Sequence, residues 1–96
     1  MSCENCRELA QRIEIQTVGD FEMVLRVVKA NVADGTIQQD QAAPGRVMPP
    51  VDVALLPEAG PWPDIVEESF RCLSCDQEFA LEAETFHGAG GKWRPL

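Results

Sequence analysis

The four cysteines of the chain fall in two copies of one pattern, Cys3-Glu4-Asn5-Cys6 and Cys72-Leu73-Ser74-Cys75. Two residues between thiols let one backbone turn aim both sulfurs at a single point. Two such turns supply four soft thiolates, the closed ligand set of a structural zinc site. The spacing therefore predicts one tetrahedral metal site made by Cys3, Cys6, Cys72 and Cys75. Closing the 65-residue interval between Cys6 and Cys72 costs roughly 4 kcal/mol of loop entropy, whereas structural zinc contributes about 10–16 kcal/mol at neutral pH. Zn2+ is the expected cofactor. Spacing alone does not separate it from iron, which takes the same four thiolates. Two other readings of the cysteines stay open: unlinked free thiols, and a dithiol with redox or disulfide chemistry.

The remaining chemistry-bearing residues make a poor catalytic set. His87 is the lone histidine, in Phe86-His87-Gly88-Ala89-Gly90-Gly91, where glycines permit a tight turn. It reads as a turn residue, with replacement of one cysteine ligand as the sharper alternative because mixed Cys/His zinc sites are common. No Gly-Lys-Ser/Thr follows the glycines, so a phosphate cradle is not expected. A nucleophile needs a positioned base, and nothing in the sequence marks a partner for His87. Four thiolates would close the metal to substrate. The expectation is a protein that is not an enzyme, with no catalytic residues.

Charge narrows the partners. Sixteen acidic residues against eight basic ones give −8, and a divalent ion in four thiolates adds a further −2. Nucleic-acid affinity depends on neutralising phosphates with Lys and Arg, so this chain is an unpromising DNA or RNA binder. A basic protein surface is the expected partner. No apolar run approaches the ~18–20 residues of a membrane span, and the first residues lack the basic and apolar regions of a signal peptide. The expected compartment is the cytoplasm, where reduced thiols favour metal over disulfides.

The elements that must position the cysteines read as follows. At 96 residues and 45% hydrophobic, the chain is expected to form one small domain, residues 1–96, marginal enough for a metal staple to matter. Leu9 and Ile13 share a helical face, predicting a first helix over about 7–13. Phe21, Val24, Leu25, Val28 and Val32 predict a second, with Asp20 as cap and Asp34-Gly35 as stop. Residues 38–63 read as an irregular Pro-rich connector with one short strand near Val51-Asp52-Val53-Ala54-Leu55-Leu56. In Pro61-Trp62-Pro63 the indole is expected to pin against the chain's own core. Phe79, Leu81, Ala83 and Thr85 alternate with Glu78, Ala80, Glu82 and Glu84, the period-2 signature of a half-buried strand. Val66, Glu68 and Phe70 suggest its partner, while Glu67, Glu78, Glu82 and Glu84 decorate the solvated face. Trp93 should pack back on the hairpin or the helix.

Phe70-Arg71-Cys72-Leu73-Ser74-Cys75-Asp76-Gln77-Glu78-Phe79 thus reads as strand, knuckle and returning strand. It resembles zinc-ribbon hairpins, in which aromatic-x-Cys-x-x-Cys-Gly-x-x-aromatic recurs. Its continuation Glu84-Thr85-Phe86-His87-Gly88-Ala89-Gly90-Gly91-Lys92-Trp93 resembles the tails of small bacterial proteins. The resemblance covers about residues 65–93 plus the first knuckle; it implies a metal-stabilised module and points to no activity. Asp76 departs from it, standing where glycine is usual. The expected fold is α+β: N-terminal helical segments and a C-terminal antiparallel zinc-ribbon-like hairpin. The expected function is an acidic protein-interaction or inhibitory, immunity-like module that binds zinc. A thiol redox or metal-transfer protein and a nucleic-acid-binding ribbon are the alternatives.

Overall fold

A computed structural model describes residues 3–41, 50–85 and 90–96. Among these residues the architecture is α+β: one α-helix, α1 (Val18–Ala33), covers one face of a five-stranded antiparallel sheet. The strands are β1 (Ile13–Ile15), β2 (Ile37–Gln39), β3 (Ile65–Cys72), β4 (Glu78–Glu84) and β5 (Gly90–Pro95), in the spatial order β1-β5-β4-β3-β2. The hairpin that carries the second cysteine pair is therefore not free-standing. Its two strands, β3 and β4, sit inside the sheet with β5 and β2 on their flanks.

Alternation defines the two faces. Along β3, Val66, Glu68, Phe70 and Cys72 are buried while Ile65, Glu67, Ser69 and Arg71 are exposed, because successive strand side chains point to opposite sides. Register carries the pattern across the sheet: Phe70 lies opposite Phe79, Glu68 opposite Leu81, and Leu81 opposite Trp93. Trp93 stacks on Phe79, with ring centroids 5.2 Å apart, and meets Phe70 at 5.5 Å. Between β4 and β1 the chain needs a residue without a side chain. A Cβ on Gly91 would lie 1.9 Å from the Glu82 carbonyl oxygen, far inside any van der Waals contact.

The helix starts and stops as its residues dictate. Thr17 is the N-cap; its hydroxyl accepts from the Asp20 N–H at 3.1 Å, and the Asp20 carboxylate accepts from the Thr17 N–H at 3.2 Å. Asp20, expected as the cap, is instead the second half of a capping box. Phe21, Val24, Leu25 and Val28 bury the inner stripe, and Val32 is half-buried. Gly35, at φ +83°, follows the Asp34 C-cap, a left-handed position that favours glycine.

Two expectations are corrected. Residues 7–13 are not a helix: a single 3₁₀ turn, Arg7–Leu9, gives way to β1. An α-helix would use the Leu9 carbonyl to accept from the Ile13 N–H. Here that carbonyl accepts from the Trp93 indole N–H at 2.8 Å, and Ile13 pairs with Trp93 in the sheet. Residues 51–56 are not a strand either. Val53–Leu55 is a 3₁₀ turn in which the Asp52 carboxylate accepts from the Ala54 N–H at 3.1 Å, while Pro50 and Pro57 remove ladder donors on both sides. The start of the expected connector holds a strand instead, β2. Trp62 does pin against the core, edge-on to Phe21 at 4.7 Å, its N–H donating to the Pro57 carbonyl at 2.7 Å.

Candidate metal centre

The first knuckle precedes the 3₁₀ turn, and the second is the β3–β4 turn. Their positions follow from backbone bonding at each end. In the first, the Leu9 N–H donates to the Cys6 carbonyl at 2.9 Å, folding the chain back just after the thiol. In the second, the Cys72 N–H donates to the Gln77 carbonyl at 2.9 Å and the Asp76 N–H to the Cys72 carbonyl at 3.0 Å. Asp76 takes φ +64°. That left-handed backbone explains why glycine is usual there, and aspartate is among the few other residues that adopt it readily.

The tertiary fold brings all four sulfurs together, within 4.8 Å of one another. Cys3 and Cys72 are 3.6 Å apart, Cys6 and Cys75 3.6 Å, and Cys3 and Cys6 3.8 Å. Four thiolates around a central ion at a Zn–S distance of about 2.3 Å stand about 3.8 Å from each other in a regular tetrahedron. The donor set and its spacing fit a zinc or iron ion. The same separations exceed the ~2.05 Å of a disulfide, and all four are free thiols.

The two knuckles face each other as equivalents. First thiol meets first thiol, second meets second, and the third residue of each motif also meets its counterpart: the Asn5 side-chain amide donates to the Ser74 hydroxyl at 2.8 Å. Each of these three pairs is offset by the same 69 positions, so matching places of the two motifs lie side by side. Asn5 and Ser74 were not singled out by the sequence reading. Their shared place in the motif was the available signal.

Surroundings prepare the sulfurs unequally. Cys6 and Cys72 are buried; Cys3 and Cys75 are half-buried. Burial foremost, with neighbouring thiols adding to it, pushes the Cys6 thiol up to about 12. The Gln77 backbone N–H foremost pulls Cys75 down to about 7, and the Ser74 N–H donates to the Cys72 sulfur at 3.4 Å. A buried sulfur such as Cys6 holds charge only beside a compensating cation, which a divalent metal supplies. Four protein ligands would complete the tetrahedral coordination of such an ion.

The other residues raised by the sequence lie away from the thiols or outside the described residues. His87 falls among the latter. Glu67 and Glu78 lie exposed on the outer sheet face, with Glu82 and Glu84 half-exposed beside them. Cations share that face: Arg94 pairs with Glu82 at 3.2 Å, and Arg12 with Glu14 at 2.6 Å. Glu68 lies on the opposite, buried face and accepts from the Val51 N–H at 2.9 Å. No helix among the described residues is long and apolar enough to cross a membrane. Comparison with models of known families, with curated proteins and with solved structures finds no match.

Proposed function

We propose that this is a non-catalytic zinc-binding protein in which one ion, held by Cys3, Cys6, Cys72 and Cys75, staples the N-terminal arm to the β3–β4 turn, and in which the acidic surface binds a basic protein. The observation that carries the metal half is the tetrahedral spacing of the four sulfurs, 3.6–3.8 Å between near neighbours. The ion supplies charge compensation and a cross-link; Asn5 and Ser74 hold the two knuckles in register. Charge carries the partner half: −8 for the chain favours a cationic protein and steers it electrostatically. An inhibitor that masks a basic toxin or nuclease, in the manner of an immunity protein, is the concrete form of this reading. The cations of the outer face are interleaved with carboxylates, which argues against nucleic acid as the partner.

A second reading, thiol redox or metal transfer, draws on one observation: Cys3 and Cys75 are half-exposed, open enough for ligand exchange. Native mass spectrometry with elemental analysis separates the two. The protein is purified without chelator, as wild type, Cys3→Ser and Cys72→Ser. One zinc per chain, lost in both variants and retained against a competing thiol peptide, supports the structural site. Ready transfer to that peptide moves the assignment to metal transfer. A metal-free chain with internal disulfides sinks the site.

A further inference from the structure

Between the N-terminal arm and α1 runs a groove of about 380 Å³. Leu9, Val24, Val28 and Trp93 form its apolar base, and Met23 and Val27, one helical turn apart, stand along its wall. These two remain 55% and 44% exposed, although large apolar side chains on a small protein gain by burial. A methionine at the wall suits a surface that adapts to an inserted side chain.

The rim decides what fits. Asn5, Gln11 and Asn31 line the groove, and each uses its amide N–H within the chain: to the Ser74 hydroxyl, to the Glu8 carbonyl and to the Val27 carbonyl. Each amide thus keeps a second N–H as well as its carbonyl oxygen, so these three residues are neutral groups that can both donate and accept at the rim. Glu8 adds a carboxylate, and among the described residues no lysine or arginine lines the groove. An apolar trough whose rim holds neutral amides, one negative charge and no cation complements an apolar side chain flanked by cationic donors.

We propose that this groove docks a basic amphipathic segment of another protein, its apolar residues on the exposed Met23 and Val27 and a Lys or Arg side chain on Glu8. The inference rests on the proposed metal site, because one wall is the arm that follows Cys6. Thiolate–metal bonds at Cys3 and Cys6 would add to the Trp93–Leu9 hydrogen bond and the β1–β5 ladder that hold that arm to the sheet, so loss of the ion loosens a wall of the groove. Metal and segment then bind with positive coupling.

The test uses a fluorescein-labelled leucine/lysine amphipathic peptide and its leucine/glutamate counterpart, followed by anisotropy at physiological salt. Zinc content is measured in parallel by elemental analysis. The lysine peptide is expected to bind, the glutamate peptide not. Met23→Gln and Glu8→Gln should each weaken binding about tenfold, the size of a central contact, whereas Glu67→Gln, the same charge change on the outer face, should leave it unchanged. Stripping the metal should weaken it. Equal effects of Glu8→Gln and Glu67→Gln would reduce the binding to net charge and overturn the proposal. Sedimentation that shows self-association lost in Met23→Gln would assign the groove to a second copy, also overturning it. Zinc-loaded chain that ignores the lysine peptide refutes the groove while leaving the metal site standing; chain that never holds zinc refutes the metal site itself and, with it, the coupling.

Discussion

Replacing the Trp93 indole N–H with an atom that cannot donate would test how the arm is joined to the sheet. Trp93 is 1% exposed and Leu9 4%, and the 2.8 Å bond between the indole and the Leu9 carbonyl spans the arm and β5. The isosteric residue benzothienylalanine keeps the ring shape and drops only the donor. A buried acceptor left without its partner costs about 1–3 kcal/mol. Trp93→Phe adds lost ring volume beside Phe70 and Phe79, roughly another 1 kcal/mol at ~24 cal/mol per Å³ of cavity, for a total of about 2–4 kcal/mol. In a domain of this size each kcal/mol moves the melting temperature by about 4–8 °C, so Trp93→Phe should lower it by roughly 8–32 °C. The assay is urea unfolding by far-UV circular dichroism in fixed excess zinc, which holds the ligand contribution constant. An unchanged slope would assign the loss to the folded state. The same benzothienyl replacement at Trp62 is the internal comparison, since its bond to Pro57 lies in an exposed setting where the net worth is about 1 kcal/mol or less. A benzothienyl chain within about 0.5 kcal/mol of wild type would refute the argument. So would equal costs at Trp93 and Trp62.

Glycine substitutions should separate by location. Gly91→Ala places a methyl 1.9 Å from the Glu82 carbonyl oxygen and 2.7 Å from the Ala83 Cα, backbone atoms that cannot swing aside, so a loss above about 4 kcal/mol or failure to accumulate folded protein is expected. Gly19→Ala, whose nearest neighbour would be the Thr17 hydroxyl at 3.7 Å, should instead stabilise α1 by about 0.4–1 kcal/mol in the same urea assay. Asp34 gives a pH dependence of definite sign. Hydrogen bonds from Thr36 hold its carboxyl below the usual 3.8, so its contribution is complete above that value and is lost as pH falls through the lower folded-state value. Asp34→Asn should therefore be less stable than wild type at neutral pH, with the difference vanishing in strong acid; a difference independent of pH would remove the charge from the explanation.

Local patterns carried much of the candidate site and one helix. The repeated Cys-x-x-Cys named the four sulfurs because two-residue spacing is a property of a single turn, independent of what lies between the turns. The stripe from Phe21 to Val28 and the Asp34-Gly35 stop were legible for the same reason: helical period and capping act within a few residues. Asp76 was legible only as a departure from the usual glycine; that it takes a left-handed φ is a finding of the fold.

What the sequence did not disclose depends on partners far along the chain. Leu9 and Ile13 have helical spacing, yet the Leu9 carbonyl is taken by Trp93 and Ile13 by a ladder to β5; neither competitor is within reach of a local pattern. Strands of three residues, β1 and β2, hold too few alternations to show a period and exist because a longer neighbour offers unpaired N–H and C=O groups. The meeting of Asn5 with Ser74, and the groove beside α1, likewise arise only once the sheet has set the arm against the helix. Residue types and spacing thus determined which atoms could bind a metal. The fold alone decided that the sulfurs meet, because that proximity is made by hydrogen bonds and packing between residues separated by most of the chain.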